Sequence, residues 1–163
     1  MRYNQLNKPT IMGLDMYLSK KTYVQNWEHH KPSQRHLVVV TKNNEPQPHI
    51  KSERITHVVE EIMYWRKSNA IHQWFVENCQ DGVDECQESD VSLDDLEKLA
   101  SLCEKVVKEK NPDLLPASGG FFFGSTAHDE YYYGDIEETA RVIREELEGN
   151  KDEYPSYMYQ ASW

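Results

Sequence analysis

Alternating hydrophobic and polar residues predict one β-strand near each end of the chain. In residues 13–24, the side chains of Leu14, Met16 and Leu18 fall on one face of an extended segment and polar residues fall on the other. Residues 154–163 alternate in the same way. Their shared face would carry Tyr157, Tyr159, Ala161 and Trp163.

Two further segments are typical of strands without a clear alternation. Residues 35–42 (RHLVVVTK) are rich in β-branched side chains and precede a run of turn-forming residues, 43–48. Residues 121–123 are three phenylalanines that follow a Gly-Gly pair and end at Gly124. We expect a strand at each.

A period of 3.6 residues predicts three helices. The first would run from about residue 52 to 78, and its part from Tyr64 to Phe75 has apolar side chains on all sides. The second starts at a capping box, Ser92 with Asp95, and stops before Asn111 and Pro112. The third would be capped by Asp135, with Glu138 three residues on, and would end at residues 149–150.

Together these elements predict a single α+β domain, with about three helices packed on a mixed, largely antiparallel sheet. A length of 163 residues suits one domain. The domain would occupy residues 12–163, because Met12 opens the first patterned segment. Residues 1–11 would then be a leader or an upstream extension.

The composition limits the partners and the compartment. A net charge of −10 opposes nonspecific binding to nucleic acid, which needs a basic surface. No apolar run is long enough for a membrane span, so no membrane partner is expected. The three cysteines have no C-x-x-C spacing, which favours reduced thiols in the cytoplasm.

The first candidate site lies on the apolar helix. Placed on a helical wheel, Arg66, Asn69 and Gln73 form one polar stripe, with Trp65 and His72 at its sides. A guanidinium and amides beside an indole ring can recognise an anionic, planar ligand. The simpler alternative is a structural network in which Arg66 pairs with a carboxylate such as Asp15 or Asp129.

The second candidate site is the segment GGFFFGSTAHDEYYYGD, residues 119–135. Backbone N–H groups and hydroxyls of Gly124, Ser125 and Thr126 could receive phosphate, with Asp129 and Tyr131 nearby. The segment lacks the lysine and the spacing of a P-loop, so a tight turn is the simpler explanation.

Catalytic and metal-binding patterns are weak. No nucleophile elbow and no His-x-x-x-His spacing occur, so neither a metal nor a cofactor is expected. A nucleotide hydrolase or phosphodiesterase would have to use His72 or His128 as its base beside Asp129. An interaction protein that inhibits a host enzyme through exposed aromatics at residues 131–133 is a third possibility.

Four segments carry a resemblance: MGLDMYL at 12–18, YWRKSNAIHQWF at 64–75, GFFFGST at 120–126 and QASW at 160–163. Together they resemble a family of small proteins encoded by tailed phages and prophages, over nearly the whole chain from Met12. The resemblance brings a setting and no activity. Such accessory proteins often act against host defence, and some sequester a nucleotide-derived immune signal in a pocket without cleaving it.

The resulting expectation is a small-ligand-binding protein that captures a phosphorylated, nucleotide-like signal in the cytoplasm of a host cell. Whether the protein forms a homo-oligomer, with the ligand between protomers, stays open. The expected binding residues are Trp65, Arg66, Asn69, His72, Gln73, Gly124, Ser125, Thr126, Asp129 and Tyr131.

Overall fold

A computed structural model describes residues 13–120, 123–149 and 155–163. The strands are β1 (Asp15–Tyr23), β2 (Thr41–Lys42), β3 (Glu45–Pro46), β4 (His57–Arg66), β5 (Ser89–Val91) and β6 (Ser156–Ser162). The helices are α1 (Asn69–Cys79), α2 (Leu93–Glu109) and α3 (Glu130–Gly149). Three short 3-10 turns lie at Pro32–Gln34, Ser52–Arg54 and Pro112–Leu114.

The main sheet has four strands in the order β4-β1-β6-β5, and every pair is antiparallel. Because β1 lies between β4 and β6, its residue Met16 stands between Trp65 and Ala161. All three side chains are buried. The described residues thus form one α+β domain with a largely antiparallel sheet and three helices, as the sequence predicts.

Helices α2 and α3 pack on each other and cover the inward face of the sheet. The capping box at the start of α2 is present: the Ser92 hydroxyl accepts from the backbone N–H of Asp95, and the Asp95 carboxylate accepts from the backbone N–H of Ser92. On the outer side of the helix pair, the Arg144 guanidinium donates to the carboxylates of Glu97 and Glu104.

The predicted helix over residues 52–78 is wrong for most of its length. Residues 57–66 form the edge strand β4, the chain turns at Lys67, and only Asn69–Cys79 is helical. The left-handed backbone at Lys67, with φ of 58°, makes this turn. Apolar residues on all sides of a helical wheel arise here because an alternating strand runs directly into a buried helix.

The predicted strand over residues 35–42 is also mostly wrong, because only Thr41–Lys42 pairs, with Glu45–Pro46. It lies in a projecting segment between β1 and β4, residues 24–56, which we call the arm. The Asn26 amide donates to the His36 carbonyl and accepts from the His36 N–H, and the Ser52 hydroxyl donates to the Val38 carbonyl. These bonds hold the arm together. The β-branched residues 38–40 belong to no sheet in the described part of the chain.

Of the other predicted elements, α3 and the final strand are present, and two segments lie outside the described residues. Helix α3 begins at Glu130 rather than at Asp135, because the Asp129 carboxylate accepts from the N–H groups of Tyr131 and Tyr132 and acts as the cap. The final strand is present, although Trp163 follows it and is partly exposed. The predicted leader at 1–11 and residues 121 and 122 of the predicted strand 121–123 lie outside the described residues, and Phe123 lies in a turn. No described helix is long and apolar enough to cross a membrane.

Candidate functional site

A cavity of about 300 Å³ lies where the end of β4, the start of α1, the start of α3 and the loop before α3 meet. This volume is at the lower end of the usual range for ligand pockets, roughly 300–1,000 Å³. The two cations on its wall are Arg66 and Lys67, and the two carboxylates are Asp129 and Asp135. Ser125 and Tyr131 also line it.

The turn from β4 into α1 builds the cationic wall. The backbone N–H of Lys67 donates to the Leu14 carbonyl (2.7 Å) and so fixes the turn to the start of β1. Ser68 is the N-cap residue of α1, but its side chain makes no capping hydrogen bond to the helix. The start of α1, with its positive dipole end, therefore borders the cavity without a side-chain cap.

Arg66 and Lys67 are exposed, and no carboxylate of the described residues forms an ion pair with either of them. The alternative in which Arg66 pairs with Asp15 or Asp129 is wrong. The Asp15 carboxylate accepts from the Tyr64 hydroxyl, and Asp129 caps α3. The guanidinium keeps its fork of donors for another partner.

Asn69 builds the wall of the cavity. Its side chain is 4% exposed, and its amide nitrogen donates to the carbonyls of Phe123 (3.0 Å) and Ser125 (2.8 Å). Its amide oxygen accepts from the Ser118 N–H (2.9 Å). With both donors used, Asn69 ties α1 to the loop and has little capacity left for a ligand.

The loop that Asn69 holds contains Gly124, Ser125 and Thr126. Gly124 has φ of 83°, and a Cβ atom there would lie 3.0 Å from the Lys67 Cβ, so the loop backbone packs directly on the Lys67 side chain. The Ser125 hydroxyl accepts from the Ala127 N–H and faces the cavity. Gly124 and Thr126 shape this loop without lining the cavity.

The acidic side of the cavity belongs to α3. Asp135 is half-buried, and its burial raises the pKa of the carboxyl above the ordinary value, while a hydrogen bond from Ser68 partly opposes that shift and nearby Asp129 adds to it. Tyr132 is buried, and its hydroxyl donates to the Leu115 carbonyl (2.5 Å). Tyr131 is 85% exposed at the rim. Its ring is free to cover a ligand.

Besides Gly124 and Thr126, three more predicted site residues lie outside the cavity. Trp65 is adjacent to Arg66 on β4 and therefore points to the opposite face, where its indole N–H donates to the Thr139 hydroxyl (2.8 Å). The Gln73 amide donates to Glu77 on the surface of α1. The polar stripe does not exist, because a strand and a helix meet at Lys67.

His72 is the third, and it is 1% exposed. Burial raises the pKa of the Tyr159 hydroxyl far above its ordinary value, so this hydroxyl stays protonated and donates to His72 Nδ1 (2.7 Å). The other ring nitrogen, Nε2, then donates to the Asp84 carboxylate (2.8 Å), which also accepts from the Trp163 indole (3.2 Å). Both nitrogens of His72 are occupied by protein.

The second candidate base, His128, accepts from the Ala117 N–H through Nε2 (3.3 Å) and lies edge-on to the Tyr132 ring. No hydrogen bond within the described part of the chain joins it to Asp129 or Ser125. In the same residues, no group of three His, Cys, Asp or Glu is arranged to hold a metal ion.

Sequence reasoning missed Lys67, Ser68 and Asp135. The signal was present in the run WRKSN, residues 65–69, where a serine directly before an apolar helix is typical of an N-cap. A helix that begins after Ser68 has Lys67 and Ser68 at its N-terminus, the positive end of the helix dipole. The sequence predicts Asp135 as the helix cap, whereas in the structure it lies inside α3 and lines the cavity.

The fold and the cavity define the molecule as an α+β domain with a cavity that is lined by two cations and two carboxylates. Comparisons with protein-family models, curated proteins and solved structures find no match to the chain.

Proposed function

We propose that this protein binds a small phosphorylated, nucleotide-like molecule in the cavity beside Arg66 and holds it without cleaving it. The observation that carries the proposal is the Arg66 guanidinium on the cavity wall, which forms no ion pair with any described residue. Beside it lie Lys67 and the start of α1, whose N-cap Ser68 makes no capping hydrogen bond. An anion placed there would gain charge-assisted hydrogen bonds and the favourable end of the helix dipole.

The two carboxylates that line the cavity favour a ligand with more than a phosphate. Asp129 and Asp135 would repel a purely anionic molecule, but their oxygens accept hydrogen bonds from hydroxyl or amino groups. A nucleotide presents both kinds of group, because its phosphate is anionic and its sugar and base carry donors. The exposed ring of Tyr131 at the rim suits stacking on a base.

Capture without cleavage is favoured over hydrolysis by the positions of the two candidate bases. His72 is buried with both nitrogens hydrogen-bonded, and it does not line the cavity. His128 is held by Ala117 and lacks an orienting carboxylate partner in the described residues. A general base must reach the proton that it removes.

The resemblance to phage and prophage proteins supplies the biological setting of this proposal. A protein that captures a nucleotide-derived signal in the cytoplasm of a host cell would blunt a defence system that depends on that signal. The alternative of a host-enzyme inhibitor that uses residues 131–133 is weakened by their packing. Tyr132 is buried and Tyr133 is half-buried, which leaves Tyr131 as the exposed ring.

A thermal-shift panel of mononucleotides, cyclic nucleotides and nucleotide sugars tests the proposal. At least one compound should raise the melting temperature of the protein, and Arg66→Ala should remove that rise. Arg54→Ala is the matched control, because Arg54 is an exposed arginine in the arm, outside the cavity. A panel without any stabilising compound would contradict the proposal.

Hydrolysis is tested with the same compounds. The complex is incubated, heated to unfold the protein, and the released ligand is analysed by chromatography. Recovery of intact ligand in stoichiometric amount is the expected result. Catalytic formation of product would establish the enzyme instead, and the His72 and His128 variants would then identify its base.

A further inference from the structure

The arm, residues 24–56, exposes an apolar ridge that lies outside the buried core. Leu37 is 82% exposed and Val39 is 56% exposed. Val40, Ile50 and Trp27 are also exposed, and none of them belongs to the buried core. Exposed β-branched residues clustered in one extended segment are typical of an interaction surface.

Only one edge of the ridge backbone forms hydrogen bonds in the described residues. In an extended chain, successive residues direct their N–H and C=O groups to opposite edges. Val38 and Val40 direct their carbonyls into the arm, where these accept from the Ser52 hydroxyl and the Gln47 N–H. Within the described residues, the backbone groups of Leu37 and Val39 have no such partner. They leave one edge of this extended segment without a neighbour in the described residues.

A second free edge exists on the main sheet. The order β4-β1-β6-β5 leaves one side of β4 unpaired in the described chain, over a strand of 10 residues. Val59 on this strand is 59% exposed, and Glu60 and Glu61 stand near its middle. Glu60 pairs with Lys20 of β1 (3.4 Å), and Glu61 has no ion pair in the described residues. Two edges that each carry Glu61 would repel each other, so β4 does not suit pairing with another β4.

Charge separates the arm from the rest of the molecule. Residues 24–56 hold five lysine or arginine residues against three glutamates, in a chain whose net charge is −10. Arg35 and Lys42 flank the extended segment at its two ends. A basic, apolar strand with a free edge complements an acidic edge strand of similar length.

We propose that residues 35–42 of one copy add as a fifth strand to the β4 edge of a second copy, so that two copies exchange arms. Strand addition would satisfy the backbone groups of Leu37 and Val39 and cover the apolar ridge. Depending on the register, it would also bring either Arg35 or Lys42 of one copy near Glu61 of the other. The exchange is reciprocal, so it closes as a two-fold dimer and not as a fibre.

Sedimentation equilibrium of the full chain at micromolar concentration should show a dimer. Val39→Pro removes an N–H donor at the free edge and should weaken the dimer at least about tenfold. Leu37→Asp, which introduces a charge into the ridge, should do the same. The control is Val83→Asp, because Val83 is an exposed valine outside the arm and outside β4. Its dimer should be unchanged.

Hydrogen exchange locates the contact. At dimer concentration, the amides of the ridge and of the outer edge of β4 should exchange more slowly than at a concentration where the chain is a monomer. A monomer at all concentrations would overturn the proposal. A dimer in which neither segment gains protection, or one that both variants leave intact, would overturn it as well. Ligand binding at the cavity is independent of each of these outcomes.

Discussion

Arg66 and Asn69 lie three residues apart and have opposite roles at the cavity. Asn69 is buried, and its amide holds the loop before α3. Arg66 is exposed, lines the same cavity and pairs with no carboxylate of the described residues. Both are polar residues beside an apolar segment, so the sequence alone assigns them one role.

His72 provides a test of structural against binding roles. His72→Leu leaves the Tyr159 hydroxyl and the Asp84 carboxylate without their buried partner, which should lower the free energy of unfolding by about 2–3 kcal/mol. Denaturant titration measures the loss. Tyr159→Phe, which removes one of the two bonds, should cost less. Ligand affinity at a temperature where the variant is folded should stay near that of the wild type. A stable variant that no longer binds ligand would show that His72 serves binding and not stability.

Asp135 should make stability depend on pH in a defined direction. Burial raises the pKa of this carboxyl in the folded state, so folding favours the protonated form. Its contribution is complete below the unfolded value of 3.8 and is lost as the pH rises through the folded pKa. Asp135→Asn should therefore gain melting temperature over the wild type as the pH increases from about 3 to 7. A difference that shrinks with rising pH would contradict this account.

At the scale of elements, the strands and helices with strong local signals were predicted correctly. Strand β1 alternates cleanly, and α2 has a capping box before a regular apolar stripe. The predicted helix over residues 52–78 is wrong, because β4 alternates less regularly and only two residues, Lys67 and Ser68, separate it from α1. The pairing of β4 with β1 is a long-range interaction, which no local pattern reveals.

The loop before α3 depends on a glycine. Gly124→Ala would place a methyl group about 3.0 Å from the Lys67 Cβ, at a backbone φ of 83° that side chains rarely adopt. We expect a loss of about 1–2 kcal/mol in the free energy of unfolding and a lower affinity for ligand at the cavity. Gly134→Ala is the control, since a Cβ atom there would contact nothing within 4 Å and alanine favours the helix. Equal stability of the two variants would show that the loop is not constrained by Lys67.

For the whole molecule, composition and pattern sufficed to predict one α+β domain with a largely antiparallel sheet. They did not place the cavity, because its wall combines the end of β4, the start of α1 and the start of α3. Of the predicted site residues, the fold brings Arg66, Asn69, Ser125, Asp129 and Tyr131 to it. Those five come from two segments that the chain separates by about fifty residues.

The central claim is that the cavity binds a phosphorylated ligand through Arg66. Isothermal titration calorimetry with the most stabilising nucleotide of the panel tests it most directly, using the wild type, Arg66→Ala and Arg54→Ala. Loss of a charge-assisted hydrogen bond predicts an affinity for Arg66→Ala that is about 10- to 100-fold lower, with Arg54→Ala unchanged. Equal affinity of Arg66→Ala and the wild type would contradict the claim.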